Sequence, residues 1–152
     1  MLTQINSHLR ELSLKHSHLA ATKVMVIDDS NTIRRSAEMF LKAAGYEVIL
    51  AEDGFDALSK ITEQRPQIIF VDIMMPKLDG YQTCALIKRN AQFKSTPVVM
   101  LSSKDGLFDR ARGRMAGSDQ YLTKPFTKES LVDTVKSFTS NNVVIDNDVN
   151  GA

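Results

Sequence analysis

Four stretches of this sequence end in groups that could do chemistry together. Asp28 and Asp29 follow the apolar run Val24–Ile27, and Asp72 follows Ile68–Val71. Ser102 and Ser103 follow Val98–Leu101, and Lys124 follows Gln120–Thr123 and precedes Pro125. Any one of these aspartates reads equally well as a turn residue or a helix cap. All three at one point would be different. Clustered carboxylates repel one another, and protonation or a cation relieves the repulsion. With only oxygen ligands on offer, a hard cation such as Mg²⁺ is the natural choice, keeping several of its waters. A hydroxyl and an ammonium beside such a metal make a site for a phosphoryl group: the cations neutralise its charge and the hydroxyl donates to an oxygen.

The elements that carry these residues decide whether they meet. Lys23–Ile27 is a β-branched run of the kind found in buried parallel strands. From Asn31 to Ala44 the period changes, with Ile33, Ala37, Phe40, Leu41 and Ala44 on one helical face. Ser30 is placed to cap that helix and Gly45 to end it. Glu47–Leu50 reads as a second strand. Asp53 and Gly54 open a second helix that stops before Pro66. Ile68–Val71 is a third strand, and Asp79 caps a third helix holding Tyr81, Cys84, Ala85 and Ile87. Val98–Leu101, a helix over Gly106–Ala116, the strand Gln120–Thr123 and a helix over Thr127–Phe138 complete the alternation. Strands each followed by a helix form a parallel sheet with helices on both faces. The expected class is therefore α/β, a flavodoxin-like (βα)5 three-layer sandwich with strand order 2-1-3-4-5. Its switch point lies between strands 1 and 3, which is where Asp28, Asp29 and Asp72 would gather.

Composition narrows the alternatives. The 152 residues are 43% apolar and 24% charged, with formal net charge +1. That is one ordinary domain with a real core, and it lacks the overall basic footprint of a nucleic-acid binder. No apolar run approaches the roughly 20 residues of a membrane span. The single cysteine, Cys84, excludes an internal disulfide and fits a reducing, cytoplasmic setting. All three histidines, His8, His16 and His18, lie in the first 18 residues, so a histidine-based triad, dyad or zinc site in the main domain is excluded unless that segment folds back. Residues 1–21 read as an N-terminal extension, with Leu2, Ile5, Leu9, Leu12 and Leu19 a weak stripe and no signal-peptide pattern. Residues 22–138 form the domain, and 139–152 read as a flexible polar C-terminal tail.

The ordered set Val26-Ile27-Asp28-Asp29-Ser30, Asp72-Ile73-Met74-Met75-Pro76-Lys77-Leu78-Asp79-Gly80, Ser102-Ser103 and Lys124-Pro125-Phe126 resembles the receiver domain of two-component response regulators, the CheY-like family. The stretches around Asp72–Lys88 and Met100–Arg114 resemble the PilG-type regulators, stand-alone receivers of the chemotaxis-like pathway that controls type IV pili and twitching motility. The resemblance implies a role for each residue. Asp72 would accept phosphoryl from a CheA-like histidine kinase. Asp28, Asp29, Asp72 and the backbone carbonyl of Met74 would hold Mg²⁺. Lys124 would pair with the phosphoryl group, Ser102 would sense it, and Tyr121 would be the switch aromatic. The Lys124–Pro125 peptide would be cis. Met74 and Lys104 would tune the phosphoryl lifetime. Output would pass to a downstream protein of the pilus machinery or its regulators, from a monomer with no nucleic-acid partner and no membrane insertion. Catalysis would be confined to the chain's own phosphorylation and dephosphorylation.

Other readings share the site chemistry. A flagellar-chemotaxis receiver or a phosphate sink would use the same residues. A Mg²⁺-dependent phosphatase with an Asp nucleophile would want a second Asp two residues on as general acid, and Met74 stands there. A flavodoxin-type electron carrier would place Asp28 and Asp29 against a flavin phosphate that they repel.

Overall fold

A computed structural model describes residues 21–103 and 107–151. Strands β1 (Lys23–Ile27), β2 (Glu47–Ala51), β3 (Ile68–Asp72), β4 (Val98–Ser102) and β5 (Gln120–Thr123) alternate with helices α1 (Asn31–Ala43), α2 (Gly54–Gln64), α3 (Gly80–Arg89), α4 (Leu107–Met115) and α5 (Lys128–Gly151). All pairings are parallel, in the order β2-β1-β3-β4-β5. The flavodoxin-like expectation holds, with the switch between β1 and β3.

The central strands β3 and β4 are buried along their whole length, as four consecutive apolar residues in each lead one to expect. Alternate residues serve opposite faces. Met25, Ile27, Ile69, Val71 and Met100 pack with Ala57 and Ile61 of α2 and Cys84 and Ile87 of α3. Val24, Val26, Ile68, Phe70 and Leu101 pack with Ala37 and Leu41 of α1 and Leu131 and Val135 of α5.

The helices begin where side chains supply the missing acceptors for their first N–H groups. The Ser30 side chain accepts from the Ile33 N–H and Asp53 from the Asp56 N–H. Asp79 and Gln82 form a reciprocal capping box at the start of α3. Gly45, at φ +92°, turns the chain out of α1.

One boundary differs from expectation by more than a residue. The sequence pattern ends α5 at Phe138, where the apolar period stops, and the helix instead runs on to Gly151. Polar composition does not stop a helix by itself. No Gly or Pro occurs from Lys128 to Asn150, so nothing in the segment forbids helical backbone. The stripe over residues 1–20, the three histidines and Lys104 lie outside the described residues.

Candidate functional site

Parallel register brings the carboxyl ends of β1, β3, β4 and β5 to one edge. Asp72 is the last residue of β3 and pairs in register with Leu101, while Ser102, the last of β4, pairs with Thr123. Asp28 follows β1 directly, and its N–H donates to the Ala51 carbonyl at 3.1 Å. The Lys124 N–H donates to the Ser102 carbonyl at 2.6 Å, tying the ends of β4 and β5 together. The Lys124–Pro125 peptide is cis.

Carboxylate oxygens of Asp28, Asp29 and Asp72 all lie within 4.8 Å of one another. Asp28 and Asp72 are buried and Asp29 is exposed. Lys124 Nζ reaches between the buried pair, 2.9 Å from Asp28 Oδ2 and 3.0 Å from Asp72 Oδ1. The Ser30 N–H donates to Asp28 Oδ1 at 2.9 Å, and Arg34 Nη1 donates to the Asp28 carbonyl at 2.7 Å. The Met74 N–H points to Asp72 Oδ1 at 3.4 Å, and the Met74 side chain is 76% exposed at the mouth of the site. The Ser102 side chain is buried at the same edge, and Tyr121, two residues before Thr123, is half-buried against the core of the α2–α3–α4 face.

Burial and then the neighbouring Asp28 charge push the Asp72 carboxyl up to about 6, against the hydrogen bond and charge of Lys124, which pull it down. Burial disfavours the Lys124 ammonium, but hydrogen bonds and charge from Asp28 and Asp72 outweigh it and raise its pKa. One ammonium thus faces three carboxylates. The donor set is all oxygen and under-neutralised, which fits a hard divalent cation and not a soft one.

Residues 24–136 match the response regulator receiver domain. The chain belongs to that family. As a receiver it is 72% identical over 115 residues to Protein PilG of Pseudomonas aeruginosa, covering 76% of this chain and 85% of that one. Among solved structures it is similar to the chemotaxis protein CheY4 of Vibrio cholerae, with TM-score 0.76 and 34% identity over 78% of this chain and 98% of that one. The Francisella response regulator 1452 receiver domain gives TM-score 0.73 and 33% identity over 80% and 98%. The receiver fold and the signalling class expected from the sequence are therefore both shown.

Two features of the receiver site escaped the sequence. One is the double role of Lys124, which ion-pairs with both buried aspartates. The other is a group on α3 and α4, Tyr81, Asp109 and Arg112, beside Met74 and Ser102. The helical spacing of Asp109 and Arg112 was visible, but nothing local pairs them with Tyr81.

Proposed function

We propose that Asp72 is the phosphoacceptor of this receiver and that the chain carries signals in a chemotaxis-like pathway controlling type IV pili and twitching motility. The observation that carries the site is the convergence of three carboxylates within 4.8 Å with Lys124 bridging the two buried ones. The pilus assignment is supported by the 72% identity to Protein PilG.

A carboxylate oxygen of Asp72 forms a bond to the phosphorus of a kinase phosphohistidine. The P–N bond breaks, and its electron pair leaves with the imidazole nitrogen. Asp28, Asp29, Asp72 and the Met74 carbonyl would hold Mg²⁺, which supplies charge neutralisation for the transferring phosphoryl oxygens. Lys124 moves its hydrogen bond from Asp72 to a phosphoryl oxygen while keeping Asp28. The Ser102 hydroxyl donates to another oxygen, and Tyr121 responds to that movement. The raised pKa of Asp72 lies below neutrality, so the nucleophile is mostly ionised at pH 7.

The donor is a CheA-like histidine kinase, and the target is a protein of the pilus machinery or its regulators. The chain acts as a cytoplasmic monomer whose catalysis is limited to its own phosphoryl group. Among the described residues no helix is long and apolar enough to cross a membrane. Residues 22–138 are the receiver unit, flanked by an extension over 1–21. Incubation with Mg²⁺ and an acyl phosphate should add one base-labile phosphoryl group to the wild type and none to Asp72→Asn. Equal labelling of the two would overturn the assignment.

A further inference from the structure

Beside the acidic cluster lies a group of side chains that the chemistry above does not use. Tyr81, in the first turn of α3, is buried, and a buried phenol needs a partner. Its hydroxyl lies 3.3 Å from Asp109 Oδ1 and 3.4 Å from the Asp109 carbonyl oxygen on α4. The Arg112 guanidinium carbon stands 4.5 Å from the centroid of the same ring, within cation–π range. Asp109 and Arg112 are three residues apart and so share a helix face, and one aromatic ring engages both. Arg112 itself is exposed, and among the described residues no carboxylate forms an ion pair with it.

The position of that guanidinium matters. Two cavities share Met74 as a wall. One, of about 360 Å³, is lined by Asp29, Met74, Tyr81 and Arg112. The other, of about 190 Å³, is lined by Ser102, Met74, Tyr81 and Arg112. Arg112 therefore borders the approach to the site on the side of a metal ligand and on the side of the sensing hydroxyl. Three carboxylates and one ammonium leave two negative charges, which one divalent cation cancels. The aspartate–lysine cluster with its cation is then close to neutral, so long-range attraction of a free anion falls to charges beside it. Among the described residues that line the two cavities, Asp29, Asp79 and Asp109 are carboxylates and Arg112 is the one cation.

We propose that Arg112, seated over Tyr81 by the Tyr81–Asp109 contact, is a specificity-determining residue for the phosphodonor, favouring donors of net charge −2 such as small acyl phosphates. Donors whose amine offsets part of the phosphoryl charge gain less from it. The inference rests on Asp72 being the acceptor. In the transfer an Asp72 O–P bond forms, the acyl C–O–P bridge breaks at phosphorus, and the electron pair leaves on the carboxylate product. Arg112 takes no part in that exchange. It acts on encounter, through the half-saturating donor concentration and not the maximal rate.

The test compares acetyl phosphate, a dianion at neutral pH, with phosphoramidate, of net charge −1, on the full chain with Mg²⁺. Arg112→Ala should slow labelling by limiting acetyl phosphate about fivefold, through a higher half-saturating concentration, and change labelling by phosphoramidate less than about twofold. Arg112→Lys should recover most of the loss. Tyr81→Phe, which keeps the ring and removes the hydroxyl, should give a smaller loss confined to acetyl phosphate. Raising salt from about 0.1 M to 1 M shortens the screening length from about 10 Å to 3 Å and should erase the wild-type advantage. The phosphoramidate arm reports whether each variant is still a competent receiver. Equal losses with both donors, or no loss in Arg112→Ala, overturn the inference. A wild type labelled by neither donor overturns the Asp72 reading itself.

Discussion

As the proposed phosphoacceptor, Asp72 carries two opposed demands. It must be ionised to attack phosphorus, yet it sits buried beside Asp28, where a second negative charge is unwelcome. Its carboxyl titrates at about 6 in the folded protein against an ordinary value of 3.8. Between those values the native state keeps a proton that the unfolded chain has lost. Without metal, stability should therefore fall as pH rises through that window and level off above it, by roughly 3 kcal/mol for this group alone. Mg²⁺ binds the ionised cluster and only in the native state, so its stabilisation should grow over the same range. Urea unfolding of wild type and Asp72→Asn, in chelator and in Mg²⁺, isolates this group from the other carboxylates. A metal-free wild type that loses no more stability than Asp72→Asn across the window would refute the raised Asp72 carboxyl, which burial and then the Asp28 charge produce. The three aspartates, Ser102 and Lys124 were legible as candidate site residues because each lies at or just past the end of a strand. The sharing of Lys124 between Asp28 and Asp72 was not, since the 96 residues separating Lys124 from Asp28 are closed only by the sheet.

Among the elements, α3 starts in close contact with the end of β3. Its capping box at Asp79 and Gln82 orients the first turn, and the Gly80 N–H donates to the Ile73 carbonyl at 3.0 Å. A Cβ on Gly80 would lie 2.3 Å from the Asp72 carbonyl oxygen and 2.7 Å from Ile73 Cα, both backbone atoms that cannot swing aside. An ordinary Gly→Ala change inside a helix gains about 1 kcal/mol. Here the sign reverses. Gly80→Ala should destabilise by about 2 kcal/mol or more, because α3 must lift from the end of β3. A lower urea midpoint with slower labelling at Asp72 is the expected result, and a raised midpoint would contradict the contact. The Asp79-Gly80 pair was visible in sequence, but the reason for the glycine needs the close approach of helix to strand. Helix α5 shows the opposite limit. The apolar period of Leu131, Val135 and Phe138 located it, and once that period stopped, the chain offered no signal for where the helix ends.

At the scale of the whole molecule, the proposed function requires that a covalent change at the end of β3 alter a surface some distance away. The route available is the face shared by β4, β5 and α4. Met100 pairs with Tyr121 and Ser102 with Thr123, so the Ser102 hydroxyl and the half-buried Tyr121 ring stand two residues apart along the sheet, on one face. Gly113 brings α4 close to that face: a Cβ there would meet Met100 Cγ at 3.4 Å and Ser118 Oγ at 3.0 Å. The Arg110 guanidinium carbon lies 5.4 Å from the centroid of the Tyr121 ring, so a change of Tyr121 rotamer alters a contact with an arginine on the α4 surface. A phosphoryl group that draws Ser102 toward it thus biases the ring and the helix above it, which is a shift between two populations. Complete switching from 1:99 to 99:1 needs about 5.5 kcal/mol of differential interaction, more than one hydroxyl hydrogen bond contributes. Loss of Ser102 should therefore weaken the output without abolishing it. Ser102→Ala keeps the backbone carbonyl that accepts from Lys124, and it leaves Asp72 and the metal ligands in place. It should be phosphorylated close to normally while losing roughly tenfold of the phosphorylation-dependent gain in partner affinity, the equivalent of about 1.4 kcal/mol. Comparing that gain in wild type and Ser102→Ala, each saturated with a phosphoryl analogue, decides the matter. An undiminished gain would mean that the signal leaves the site through the metal-ligand loops and not along β4 and β5.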